Sequence, residues 1–299
     1  MDIIGIFGGI LGKPLGFIFK IFYDLFSNYG IALFCFTLIM KLVMLPMNIK
    51  QQKSTAKMQA LKPKIDEINR KYRTDKTKQN EMLMKLYQEE KYSPTSGCLP
   101  MLIQFPVMFG LIAVIYRPLT YIFNVSAELI TKATGLLGTG ANLSLAEISI
   151  VGAAKADPTA FSFLPANLHN LDFTFLGIDL SLQPDLGNFS WLWLIPILSG
   201  LTQLLSTIIA NKTNPYGNNM KGSMNFLMLG MPIFFTWLTF SFPAALGVYW
   251  IMTNILTMIQ TLALNVIYHP YKVNAKAEYA VYLKRKKNEE DIKAKLLNS

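Results

Sequence analysis

Residues 29–49 read YGIALFCFTLIMKLVMLPMNI, 21 residues in which Lys41 is the single charge. As a helix at 1.5 Å per residue this stretch is about 31 Å long, the thickness of a bilayer's hydrocarbon core. Four further stretches share the pattern: 97–117 (GCLPMLIQFPVMFGLIAVIYR), 190–210, 224–242 and 244–267. The last two are joined by Ser241-Phe242-Pro243 and must form an antiparallel hairpin. Composition agrees, with 52% hydrophobic and 15% charged residues among 299, and a mean hydropathy of +0.33. A soluble domain carries roughly 25% charged residues. The expected fold is an all-α polytopic membrane protein with five transmembrane helices.

Upstream, residues 3–26 are apolar but broken by Gly8, Gly9, Gly12 and Pro14. Asp2 stands where a signal peptide would have a basic region. Segment 1–28 is read as external, with residues 15–26 a helix lying on the membrane surface. A first spanning helix is the alternative.

Loop charge sets the orientation. Residues 50–93, between the first two spans, hold twelve Lys/Arg against six Asp/Glu. Residues 118–189 hold only Lys132 and Lys155 against six acidic residues. The tail beyond Tyr268 holds eight Lys/Arg, including Lys284-Arg285-Lys286-Lys287, and loop 211–223 carries Lys212 and Lys221. With five spans the three basic segments, 50–93, 211–223 and the tail, fall on one side, so the N-terminus is expected outside and the 268–299 tail in the cytoplasm. Segment 50–96 is more than a charged linker. Met58, Leu61, Ile65, Ile68 and Tyr72 form a helical stripe, and Met82, Leu83, Leu86 and Tyr87 form a second beyond Arg73-Thr74-Asp75. A cytoplasmic helical hairpin is expected, with Pro63 in the first turn of a helix or bending it.

Catalytic and cofactor motifs are absent. Cys35 and Cys98 are too few and too far apart for a zinc site or disulfide framework, and His169 and His269 are the only histidines. There is no phosphate-binding loop, HExxH or GxSxG. The spans contain no Asp or Glu of the kind a proton relay uses. No enzyme activity, cofactor or metal is expected.

Lys41 is the most informative residue. A cation at a helix centre costs roughly 2.5–3.5 kcal/mol on insertion scales. It lies about eight residues, or about 12 Å, from the cytoplasmic end of its span. Either its methylenes carry the ammonium to the headgroups, or it lines a wet cavity between helices. Thr37, one turn earlier on the same face, favours the cavity. Span 2 offers Gln104 between Pro100 and Pro106. Span 3 offers Thr202, Gln203, Ser206 and Thr207. Span 5 offers Thr253, Asn254, Thr257 and Gln260 after Tyr249 and Trp250. Helix-to-helix hydrogen bonding, typically about 0.6 kcal/mol each, is the plain alternative for any of these.

Four motifs then recur in a familiar order: Lys41-Leu-Val-Met-Leu-Pro46-Met-Asn-Ile-Lys50-Gln51; Met58-Gln-Ala-Leu61-Lys-Pro63; Gly97-Cys98-Leu99-Pro100-Met-Leu-Ile-Gln104-Phe-Pro106; and Phe242-Pro243-Ala-Ala-Leu-Gly-Val-Tyr249-Trp250-Ile-Met-Thr-Asn254. Together they resemble the YidC family of membrane protein insertases, in its short Gram-positive-type form. The resemblance covers roughly residues 28–118 and 190–268, and the 118–189 loop has no counterpart in it. It implies a hydrophilic groove open to the cytoplasm and to lipid and closed on the outside. Lys41 holds the place of the family's groove arginine, keeping the charge but not the bidentate fork. Thr37 matches a groove threonine, Ser206 or Thr207 a polar groove position, and Trp250 a substrate-contacting aromatic. The expected substrate groove is thus Lys41, Thr37, Gln104, Gln203, Ser206, Thr207, Tyr249, Trp250 and Asn254. The expected function is an insertase and chaperone of the bacterial plasma membrane. It would act as a monomer on nascent membrane proteins, with the ribosome, the Sec translocon and anionic lipid as partners and no small-molecule substrate. The rivals are a small-molecule transporter or channel, with a path reaching both faces, and an assembly subunit of a membrane complex.

Overall fold

The structure, a computed structural model, describes residues 8–90, 92, 99–137, 145–213 and 223–268, with Ala275, Tyr279 and Lys286 beyond them. Gly97-Cys98, Lys221 and most of the basic tail lie outside these residues.

The helices are α1 (Lys13–Phe26), α2 (Tyr29–Lys71), α3 (Lys76–Glu89), α4 (Leu99–Tyr116), α5 (Pro118–Tyr121), α6 (Ala127–Leu136), α7 (Ala146–Ala156), α8 (Leu194–Thr213), α9 (Ser223–Thr239) and α10 (Ala244–Ile267). Among the described residues, three stretches are helical, long and apolar enough to cross a membrane: Tyr29–Met58, Trp191–Thr213 and Ala244–Ile267. Ile103–Tyr116 is a shorter apolar helix.

The chain divides into two compact units. The first draws on Met1–Met44, Met101–Thr207 and Met224–Thr257. Its core begins where α1 meets the start of α2. The Phe19 ring lies 4.9 Å from Tyr29 and 6.2 Å from Phe36, and all three side chains are fully buried. Leu111, Ile112 and Ile115 of α4 extend that core into the 118–189 segment, through Leu119, Ile122, Ile150, Leu168 and Leu171. In the same core, Gly247 lets α10 close on its neighbours. A Cβ there would collide with Ile195 of α8 and press on Thr239 of α9. Ser199 and Thr239 share a buried hydroxyl hydrogen bond of 3.2 Å at the same level.

The second unit draws on Leu45–Pro100, Ile208–Ser223 and Met258–Ser299. Leu61 and Ile65 of α2 pack with Leu86 of α3 in a small core, flanked by Met58, Ile68, Leu83, Tyr87 and Tyr92. Asp75 caps α3, its carboxylate accepting from Lys78 N at 2.9 Å. Lys64 pairs with Glu90 at 2.6 Å, and that hydrogen bond raises the lysine's pKa. Lys57 donates to Glu90 O. Burial raises the Tyr87 and Tyr92 phenols. Asn48 donates to Gln260 at 3.2 Å, and Lys53 sits 5.0 Å from the centre of the Tyr268 ring.

Three features of the structure add to the sequence reading. No break in the helix separates residues 29–49 from those that follow. Helix α2 continues to Lys71 with Pro46 and Pro63 inside it. Each proline removes one backbone donor, and the helix runs through both. The third span's helix begins at Leu194, after a 3₁₀ turn at Trp191–Trp193. The chain is also not purely helical, because β1 (Thr174–Phe175) and β2 (Ile178–Asp179) form an antiparallel hairpin in the 118–189 segment.

Candidate functional site

The first unit gathers its polar side chains where α2, α4, α8 and α10 supply them. Lys41 Nζ donates to Thr257 Oγ1 at 2.7 Å, and Thr257 Oγ1 donates to Thr253 O at 2.6 Å. The lysine is half-buried. Its ammonium carries three donors, and Thr257 takes one of them. Thr257 stands two turns beyond Tyr249 on the same face of α10. Gln104 of α4 donates to Tyr249 Oη at 2.8 Å. One step round the helix, Asn254 donates to Thr202 Oγ1 at 3.2 Å and to Ser199 O at 3.4 Å, joining α10 to α8.

Of the nine expected groove residues, Lys41, Gln104, Tyr249 and Asn254 therefore make polar contacts between helices. Thr37 is buried and its hydroxyl donates to Leu33 O within its own helix, at 2.7 Å. Thr207 does the same toward Gln203 O, at 2.9 Å. The Gln203 amide and the Ser206 hydroxyl are half-exposed and have no hydrogen-bond partner among the described residues. Trp250 is only 8% exposed, held edge-on against Phe235 and Phe242 at 5.7 and 6.2 Å. Thr257, read from sequence as one polar residue of the last span among several, is Lys41's partner. Its i, i+4 spacing from Thr253 was the available signal.

Apolar side chains border these groups. Leu198, Leu201 and Leu205 of α8, and Ile255 of α10, are exposed. At the N-terminal ends of α2 and α10, the 118–189 segment covers the chain. Tyr23 of α1 donates its hydroxyl to Asn170 O at 2.6 Å and accepts from Asp172 N at 2.9 Å. Ala244 N and Ala245 N, orphan donors of the first turn of α10, reach Leu182 O and Leu180 O at 2.8 and 2.9 Å. No group of three His, Cys, Asp or Glu among the described residues is placed to hold a metal ion.

Apolar helices of spanning length, linked by lysine, amide and hydroxyl contacts, define a multi-span helical membrane protein. Residues 21–271 match the family described as 60Kd inner membrane protein, and the chain belongs to that family, the family of the YidC insertases. Curated relatives named membrane protein insertase YidC include those of Geobacter sp. (strain M21), 32% identical over 86% of this chain, and Methylobacterium sp. (strain 4-46), 34% identical over 83%. The Treponema denticola protein is 29% identical over 85% of this chain. These matches span only 37%, 33% and 37% of the relatives' own lengths. A crystal structure described as an active YidC insertase with the first transmembrane domain resolved aligns over 89% of this chain and 46% of its own, at a TM-score of 0.49 and 24% identity.

Proposed function

We propose that the chain is a membrane protein insertase. It moves short polar segments of nascent membrane proteins across the bilayer through a hydrophilic groove, then releases their helices into lipid. Five spans, 29–49, 97–117, 190–210, 224–242 and 244–267, form the core, with the N-terminus outside and the tail in the cytoplasm of a bacterial cell. Residues 50–96 and the basic tail meet the incoming chain or the ribosome, whose RNA is anionic. Anionic lipid and a Sec translocon are further partners, and the unit acts as a monomer without cofactor or small-molecule substrate.

One observation carries this reading: Lys41 is half-buried among apolar helices with a neutral hydroxyl as its protein partner. Its other two N–H donors need acceptors, because polar groups left dry in hydrocarbon cost several kcal/mol each. Water in a cleft supplies them at rest, and an acidic group of a passenger segment supplies them during transfer. Attraction to that group is stronger in the cleft than in bulk water, since the local dielectric is lower. The half-exposed Gln203 and Ser206 extend the polar track along α8, and the exposed apolar faces of α8 and α10 are the ramp into lipid.

The test is insertion of a small single-span substrate with an acidic external tail into vesicles, read by protease protection of the tail. Lys41→Ala is expected to reduce protection sharply and Lys41→Arg to retain it. Equal protection by all three proteins would remove Lys41 from the mechanism. Crosslinking a stalled nascent chain to a probe at Gln203 would separate an insertase from a transporter or an assembly subunit.

A further inference from the structure

The turn between β1 and β2 breaks two local rules at once. Leu176 and Gly177 both have positive φ, at 51° and 79°, the geometry of a two-residue hairpin turn. Asn, Asp or Gly suits the first of these positions, and a leucine there is strained. That leucine is also 85% exposed. Strain and exposed apolar surface on one residue call for something that covers it.

The surroundings identify the cover. The ring of Phe175, next to Leu176, occupies the space a Cβ of Gly30 would take, at the first turn of α2. Phe173 packs edge-on against Tyr29 at 5.0 Å. Beyond β2, Leu180 and Leu182 accept the two backbone bonds from the first turn of α10. The turn therefore sits at the level where two apolar helices of spanning length begin. The same segment exposes Leu182, Leu186, Phe189 and Trp191 just before α8. Aromatic and apolar side chains at span ends are those that settle at the membrane interface.

We propose that the β1–β2 turn is a lipid anchor, with Leu176 seated at the headgroup–acyl boundary beside the ends of α2 and α10. This rests on the reading that α2 and α10 cross the bilayer. The contact is apolar, not electrostatic. Asp172 turns its carboxylate to Thr174 N, with Lys155 3.9 Å away, and Asp179 to Ser181 N and Oγ, while residues 171–193 hold no Lys or Arg. Seating therefore needs no anionic headgroup, and salt, which only screens these carboxylates from the lipid surface, does not release it.

The experiment uses the full chain with Cys35→Ser and Cys98→Ser, reconstituted in phosphatidylethanolamine/phosphatidylglycerol vesicles. An environment-sensitive fluorophore is attached at Leu176→Cys, at Thr174→Cys with Leu176 intact, or at exposed Ala160→Cys as a reference outside the hairpin. Labels at 176 and 174 are expected to be blue-shifted, quenched by lipids spin-labelled near the headgroup and protected from aqueous iodide, at low and high salt alike. In the Thr174 protein, Leu176→Asn, which suits the turn, is expected to lose lipid quenching and gain iodide access. Free iodide access without lipid quenching would overturn the anchor. Protection from both quenchers would also overturn it, in favour of a protein covering the turn. Substrate insertion is measured on the same vesicles, so a water-exposed turn in an active protein defeats the anchor alone.

Discussion

The hydroxyl that binds the Lys41 ammonium at 2.7 Å is not free to rotate: Thr257 has already committed its proton to Thr253 O at 2.6 Å. Lys41 therefore meets a fixed acceptor lone pair. Removing the lysine leaves no unsatisfied donor on Thr257, because that donor stays within its own helix.

This separates the role proposed for the lysine from the fold. Lys41→Met deletes a charge whose insertion costs roughly 2.5–3.5 kcal/mol at a helix centre and strands nothing. Its thermal midpoint in micelles is expected to equal or exceed that of the parent, while insertion of the acidic-tailed substrate is lost. A midpoint that falls in step with activity would make Lys41 a structural residue.

Asn254 is the opposite case. Its amide ends on Thr202 Oγ1 and Ser199 O and ties α10 to α8. Hydrogen bonds between membrane helices are worth about 0.6 kcal/mol on average. Asn254→Ala is expected to cost about that much in unfolding free energy. A double-mutant cycle with Thr202→Val should return a coupling of the same size. Zero coupling would mean that the amide does not hold the helix contact.

The two cases show what the sequence could and could not disclose. Hydropathy over about 20 residues reports partition between water and lipid, so Tyr29–Met58 and Ala244–Ile267 stand out in composition alone. The stripe Leu61–Ile65 with Leu86 is local periodicity and is equally readable. Whether a polar residue in a span faces a cavity or a neighbouring helix depends on helix rotation, which periodicity does not fix when several polar residues share the helix. Hence Trp250, expected to meet substrate, is packed between Phe235 and Phe242, and Thr257 emerges as the lysine's partner. The 118–189 segment was unreadable for another reason. Its short helices are held by contacts distant in sequence, such as Tyr23 with Asn170 and Phe175 with Gly30. The Leu176-Gly177 turn between Thr174-Phe175 and Ile178-Asp179 was its one local clue.

The Gly30–Phe175 contact inverts an ordinary propensity. In an exposed helix Gly→Ala gains about 1 kcal/mol. In the first turn of α2 the added methyl would occupy the Phe175 ring's place. Gly30→Ala is expected to lower the thermal midpoint, and Gly30→Ala in a Phe175→Ala background to raise it. A midpoint raised in both backgrounds would show that the hairpin does not rest on α2.

Glu147, in the 118–189 segment, supplies a pH test. It is 7% exposed, and burial raises its pKa against the lowering effect of hydrogen bonds from Thr120 Oγ1 and N, at 2.6 and 2.9 Å. These donors include the orphan N–H of the first turn of α5. A carboxyl whose folded pKa lies above its unfolded value stabilises the fold when protonated. That contribution is complete below the unfolded pKa and is lost as pH rises through the folded one. Gln at 147 keeps an acceptor for Thr120 N without burying a charge. Glu147→Gln is therefore expected to unfold at a higher temperature than the parent at neutral pH, with the difference closing on acidification. Asp172 and Asp185, whose pKa values are lowered by backbone hydrogen bonds, destabilise both proteins as pH falls, so the difference between the two melting curves isolates Glu147. A difference that is constant with pH, or a less stable glutamine variant at neutral pH, would show that the charged carboxylate is the form the fold selects.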